Sequence, residues 1–152
     1  MSPKLSEIVA ALIVAIQVAH ATVDLSDTDA VKYGEYNTPP VRPFVALLPP
    51  SGESEPEATE TWHRHKIRFT LRLWVTTTDG SAGDYAERAT AMLDEVMAAI
   101  AVARRTSGNK LRNAAMLAFP EYRVVADDAD DASPYAEIVV EIEFRRSAGV
   151  GS

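Results

Sequence analysis

The sequence predicts an α+β fold in which a mainly antiparallel sheet packs against two principal helices. Residues 64–76 and 137–145 alternate apolar and polar side chains, which is the period of a β-strand with one buried face. Residues 5–18 and 85–100 instead place apolar side chains three and four positions apart, as an amphipathic helix does. We expect the sheet to be built around residues 64–76, the longest alternating segment.

Length and composition restrict the class of protein. A chain of 152 residues that is 47% hydrophobic predicts one domain, spanning residues 1–152. A net charge of −7 argues against DNA binding through the overall field of the protein. The absence of cysteine excludes disulfides, thiol catalysis and thiolate metal sites. The longest apolar run, residues 8–16, is far shorter than the roughly 20 residues of a membrane span.

The first helix is predicted to run to about Val18, with Ser2 as its cap and Pro3 in its first turn. It is apolar almost all round, so we expect it to be covered on more than one side, by its own domain or by a neighbouring subunit. The same segment imitates a secretory signal peptide that would be cleaved after residues 19–21. Glu7 neutralises Lys4 beside the apolar run, which favours an uncleaved helix.

Residues 22–43 are polar and rich in proline, which predicts a connector with a short strand at 31–36. Prolines flank the apolar residues 44–48 on both sides, as expected of an edge or terminal strand. Residues 51–61 have no large apolar side chain, which predicts a solvated acidic loop that becomes ordered only on a partner. Its four carboxylates are Glu53, Glu55, Glu57 and Glu60.

The polar side of the strand 64–76 carries a row of cations that ends in Trp74. Because unpaired buried charges cost several kcal/mol, this row requires an acidic neighbour. Residues 137–145 meet the requirement, so we predict antiparallel pairing of the two strands, cation on carboxylate. The cations are Arg64, Lys66, Arg68 and Arg72, and the carboxylates are Glu137, Glu141 and Glu143.

The second helix, predicted to begin after Ser81 or Asp84, presents an apolar stripe to the hydrophobic side of the sheet. Residues 111–119 are predicted to form a short helical turn, followed by a strand at 122–126. Four aspartates at residues 127, 128, 130 and 131 then predict an acidic loop at 127–134, and residues 146–152 a C-terminal tail.

The sequence contains no pattern typical of an enzyme. His63 and His65 are two residues apart, but no third zinc ligand accompanies them. The aspartates of 127–134 lack the glycine and terminal glutamate of an EF-hand calcium loop. G-x-S-x-G, P-loop and G-x-G-x-x-G motifs are absent too. We therefore expect no catalytic residues, no metal site and no cofactor.

The order of predicted elements resembles that of phage tail terminators, also called tail-completion or minor tail proteins. The segments that carry this resemblance are PPVRPFVALLPP, HRHKIRFTLRLWVTT, DGSAGDYAERATAMLDEVMAAI and PYAEIVVEIEF. The resemblance implies a structural virion protein at the head-proximal end of a bacteriophage tail, assembled in the host cytoplasm. It would form a homo-oligomeric ring, usually of six subunits, that ends growth of the tail tube and provides the surface for head-tail joining.

The partners that the resemblance implies are the tail tube protein and a neck or head-completion protein. DNA would pass through the lumen without specific binding, and no membrane would be involved. Subunit and partner contacts would involve the charged residues of the two long strands, Trp74 and the glutamates of 51–61. Alternative hypotheses are a neck or head-completion connector or another tail ring protein and, in a different class, a small cytoplasmic binding module or an enzyme subunit.

Overall fold

Six strands form one sheet, and two helices pack on one of its faces, so the predicted α+β class is confirmed. The structure is a computed structural model that describes residues 4–18, 25, 29–36, 38–56, 62–76, 82–125 and 135–147. The elements are α1 (Leu5–Gln17), β1 (Val31–Tyr33), β2 (Phe44–Leu47), β3 (Ser51–Pro56), β4 (Trp62–Trp74), α2 (Ala82–Ala103), a 3-10 helix (Lys110–Asn113), β5 (Met116–Val125) and β6 (Tyr135–Ser147).

The strands are arranged in the order β1-β2-β4-β6-β5, with β3 pairing to β4. Among the described strands, β1 and β2 are parallel to each other and the other pairs are antiparallel. The central pair, β4 and β6, runs from Trp62 opposite Ser147 to Leu73 opposite Ala136. This confirms the antiparallel pairing that the charges of the two strands predict.

The main core lies between the sheet and the helices. The apolar ridge of β4, including Phe69 and Leu71, packs with that of β6, including Val140 and Ile142, in one buried cluster. Helix α2 contributes its predicted stripe, in which Met92 and Val96 are completely buried. Each large apolar side chain buried in this way contributes roughly 1.5–3 kcal/mol. The alternation along β4 and β6 therefore fixes which face of the sheet the helices cover.

Helix α1 starts two residues later than the sequence predicts. Lys4, and not Ser2, is the N-cap residue, and its backbone N–H donates to the Glu7 carboxylate over 2.8 Å. The side that includes Leu12 and Ile16 is completely buried in the core. Within this chain, however, the opposite side stays exposed, since Val14 is 57% accessible. The described part of the chain covers α1 on one side only.

Two predictions about the strands before β4 are wrong. Strand β2 is not an edge strand, because β1 pairs with it on the side away from β4. Residues 51–61 are not a loop throughout: Ser51–Pro56 forms β3, with Ser51 opposite Arg68 and Pro56 opposite His63. Backbone hydrogen bonding to β4 orders this segment, although it carries no large apolar side chain. Residues 57–61 lie outside the described residues.

Differences also occur near the C-terminus. The helical turn predicted for 111–119 is confined to Lys110–Asn113, and β5 already begins at Met116. Strand β6 is longer than predicted and extends to Ser147, so the first residues of the predicted tail 146–152 belong to the sheet. The predicted acidic loop 127–134 and residues 148–152 lie outside the described residues. No helix among the described residues has the length and apolarity that a membrane crossing requires.

Candidate functional site

The sheet has a second face, turned away from the helices, which we call the polar face. Because side chains alternate along a strand, it collects the residues of β4 and β6 that do not enter the main core. The register sets Lys66 opposite Glu143, Arg68 opposite Glu141 and Arg72 opposite Glu137. The polar face of these two strands comprises Lys66, Arg68, Thr70, Arg72 and Trp74 of β4 and Glu137, Val139, Glu141 and Glu143 of β6.

In one half of the polar face, Glu141 of β6 forms ion pairs with cations of β4. Its carboxylate accepts a hydrogen bond from Nη2 of Arg68 over 2.7 Å and lies 3.7 Å from Nζ of Lys66. The side chain is only 12% exposed, so solvent screens these contacts less than it screens a surface ion pair. The hydrogen bond from Arg68 lowers the pKa of the Glu141 carboxyl, and the charge of Lys66 adds to this effect. The Glu141 carboxylate therefore bridges two cations of β4.

Glu137 plays the corresponding role in the other half. One carboxylate oxygen accepts from Nε of Arg72 over 3.1 Å, and the other accepts from Nε of Arg123 over 2.7 Å. Arg72 also donates from Nη1 to the Tyr36 carbonyl oxygen over 3.3 Å, and its guanidinium lies 5.1 Å from the centre of the Tyr135 ring. A hydrogen bond, an ion pair and a cation–π contact thus hold Arg72, which is only 20% exposed.

Trp74 lies in a second, smaller core on the polar face. It is completely buried with Phe44 and Ala46, and Tyr36 and Tyr135 pack at its edge. The ring centroids of Phe44 and Trp74 are 5.7 Å apart, and those of Trp74 and Tyr135 are 6.0 Å apart. Trp74 was a candidate for partner contact, but its side chain is not on the surface of this structure. Among the described residues its indole Nε1 has no hydrogen-bond partner.

A groove of about 770 Å³ crosses the polar face. It runs from the end of β2 across β4 and β6 to β5, beside the ion pairs of Glu137. Its charged residues are two arginines and two glutamates, so its formal charge is zero. Its lining consists of Leu48, Thr70, Arg72, Pro120, Glu121, Tyr122, Arg123, Glu137 and Val139.

Besides Trp74, the structure brings six charged candidate contact residues to the polar face: Lys66, Arg68, Arg72, Glu137, Glu141 and Glu143. The backbone of Arg64, Glu53 and Glu55 is described but their side chains are not; in register, Glu53 is opposite Lys66 and Glu55 is opposite Arg64. Glu57 and Glu60 lie outside the described residues. Glu143 is buried on the sheet.

The candidate residues predicted from the sequence do not include Arg123, Tyr36 or Tyr135. In the structure, the register of β5 and β6 places Arg123 opposite Glu137. The alternation of residues 121–125 indicates a strand, but nothing in the sequence indicates that this strand pairs with β6. Tyr36 and Tyr135 lie outside the segments whose periodicity was informative.

Among the described side chains, no group of three or more His, Asp or Glu residues is placed so that it could hold a metal ion. The side chain of His63 is outside that description. The chemistry that the polar face itself offers is ion pairing, hydrogen bonding and apolar contact along the groove.

We expect the contribution of Glu141 to stability to disappear in acid. Its pKa is lowered in the folded protein, so its contribution is complete above the ordinary glutamate pKa of about 4.3 and is lost as pH falls through the folded value. Urea unfolding of wild type and Glu141→Gln should differ at pH 7, and the difference should shrink below pH about 4. The control Glu87→Gln, on the exposed side of α2, should change stability little at either pH. A constant difference for Glu141→Gln down to pH 3, about a unit below the ordinary value, would contradict this assignment.

Comparison with known proteins gives this chain no family assignment. No protein-family model matches the sequence, and no curated protein matches it significantly.

Proposed function

We propose that this protein is a phage tail terminator, a structural subunit that forms a ring at the head-proximal end of the tail tube. The ring would end tube polymerisation and present a docking surface to the neck or head-completion protein. The proposal starts from the resemblance of the sequence segments to that family. The two-helix, mainly antiparallel architecture belongs to the α+β class, which is the class that the resemblance leads us to expect.

One observation about the polar face supports a structural role. Glu141 is paired with Lys66 and Arg68, and Glu137 is paired with Arg72 and Arg123. These contacts pair two carboxylates with four cations within the chain itself. Such groups rigidify a surface and leave it available for contacts with other subunits.

The overall charge fits the proposed location. Because the chain carries a net charge of −7, a ring of several copies would be strongly acidic and would repel the phosphate backbone. DNA could then pass through the lumen without being retained, since retention requires clustered cations facing the phosphates. The protein would reside in the virion after assembly in the host cytoplasm.

A phage that lacks this gene tests the proposal. Without a terminator, electron microscopy should show tail tubes of uncontrolled length that do not join to heads, together with filled heads that lack tails. A plasmid copy of the wild-type gene should restore normal virions. Tails of normal length beside leaking heads would identify a neck protein instead, and normal virions without complementation would overturn both assignments.

The groove favours a second candidate function, that of a small binding module. Its volume of about 770 Å³ is within the range of roughly 300–1,000 Å³ that ligand pockets occupy. Its lining mixes apolar side chains with four charged groups, as recognition sites commonly do. This candidate predicts normal virions from the gene deletion and a ligand that protects groove residues in solution.

A further inference from the structure

The outer surface of α1 is unusual for a helix at the surface of a domain. Surface helices normally turn charged side chains to water. The last two turns of α1 instead expose a stripe without any charge, in which Val14 is 57% and Val18 63% accessible. The stripe consists of the exposed Ala10 and Val14, the half-buried Gln17 and the exposed C-cap residue Val18. The one carboxylate of the helix, Glu7, lies a turn earlier and is 3.4 Å from Nζ of Lys110.

The groove on the polar face, like the α1 stripe, has no net charge and has apolar side chains in its lining. Leu48, Pro120 and Val139 supply apolar lining, and Thr70 adds a small uncharged side chain. The charged residues of the groove are balanced, and Glu137 is already bonded to both arginines. A neutral helix surface would therefore add no further charge to the groove.

We propose that the outer stripe of α1 docks into the groove of a second copy of this chain. The two surfaces cannot meet within one molecule, because α1 packs on the helix side of the sheet and the groove lies on the opposite side. The contact joins two different surfaces of identical subunits, which is a head-to-tail arrangement.

The dimensions of the two surfaces agree. The groove crosses four neighbouring strands, β2, β4, β6 and β5, which corresponds to three strand spacings or about 14 Å. From Ala10 to Val18 the stripe rises eight residues, or about 12 Å along the helix axis. Two turns of helix therefore span the groove from the β2 side to the β5 side.

The absence of net charge on both surfaces is compatible with a contact between two copies of this chain. Two copies that carry −7 each repel one another, so contact is least costly where both surfaces are neutral. The α1 stripe contains no charged residue, and the two arginines and two glutamates of the groove sum to zero. Raising the salt concentration should consequently strengthen the association by screening the general repulsion.

A single contact of this size should be weak. Stable interfaces bury about 1,200–2,000 Å² in total, more than two turns of one helix can supply. Dilute protein is therefore expected to be monomeric, and the contact becomes effective when successive copies close into a ring or add to a template. The inference deepens the proposed function by naming the subunit contact, and it rests on that function only for the closure of the ring.

Single cysteines test the contact, because the chain has none of its own. One variant is Val14→Cys on the stripe, and the other is Thr70→Cys, a replacement of similar size in the groove. The two are treated with a short bismaleimide at high protein concentration, each alone and mixed in equal amounts. The control mixture pairs Thr70→Cys with Glu87→Cys on the exposed side of α2.

Covalent dimer should form in the mixture of Val14→Cys with Thr70→Cys and stay at the control level in each variant alone. The double variant should give a ladder of oligomers that stops at the ring size. Adding Ala10→Glu to the stripe should return the mixture to the control level, and far-ultraviolet circular dichroism should show that this variant is folded. Dimer from Val14→Cys alone would indicate a symmetric helix–helix contact and overturn the proposal, as would a mixture no different from the control.

The outcome separates this inference from the proposed function. Specific cross-linking combined with normal virions from the gene deletion would retain the head-to-tail contact and reject the tail terminator. Overlong tubes in the deletion combined with cross-linking at the control level would retain the terminator and reject this contact.

Discussion

Replacement of Trp74 by alanine should lower the free energy of unfolding by about 3–5 kcal/mol. The side chain is completely buried between Phe44 and Tyr135, so its removal leaves a cavity beneath the polar face. The same cavity withdraws support from the Tyr135 ring on which Arg72 rests. Urea unfolding of the dilute protein, followed by circular dichroism, measures the loss.

Trp74→Phe is the matched control. It keeps an aromatic ring in the small core and removes Nε1, a buried donor without a partner among the described residues. Leaving such a donor unsatisfied costs about 1–3 kcal/mol, so its removal should offset part of the lost packing, and the phenylalanine variant should be clearly more stable than the alanine variant. Equal stability of wild type and Trp74→Ala, with loss of assembly alone, would mean that Trp74 is an exposed contact residue after all.

Charge reversal at Glu141 should have the second-largest effect, a loss of about 1–3 kcal/mol. The carboxylate is 12% exposed and lies between Lys66 and Arg68, so Glu141→Lys would place three cations together on neighbouring strands. The range lies between that of an exposed pair and that of a broken buried pair, because Arg68 itself is half exposed. Urea unfolding of dilute protein at pH 7 measures it without a contribution from assembly.

Two further variants make the result specific. Exchanging the charges, with Arg68→Glu and Glu141→Arg in one chain, should recover part of the lost stability because a pair is restored in the same register. Glu121→Lys, at an exposed position on the rim of the groove, should change stability by less than about 0.5 kcal/mol. An equal loss of stability from Glu121→Lys and Glu141→Lys would show that the change in net charge is the cause, and not the loss of the ion pairs of Glu141.

The two long strands and the two helices at the centre of this fold can be predicted from local sequence patterns. The alternation in β4 and β6 separates a hydrophobic side from a charged side, and the opposite signs of Arg68 and Glu141 select an antiparallel register. Both helices followed from their apolar spacing. These features are predictable because the buried side of a strand or a helix appears in the sequence as apolar residues that recur with a period of 2 or 3.6.

The way in which the remaining segments join that centre depends on contacts between distant parts of the chain. Residues 51–56 carry the composition of a solvated loop, yet their backbone groups pair with β4 because that strand extends beyond the end of β2. Trp74 is at a surface position by alternation but is buried, because Phe44 and Tyr135 arrive from distant parts of the chain. Likewise, the groove needs Leu48, just beyond the end of β2, beside Thr70, Val139 and Pro120 on the three adjoining strands. Which strands become neighbours depends on the packing of the whole chain, and local periodicity contains no information about it.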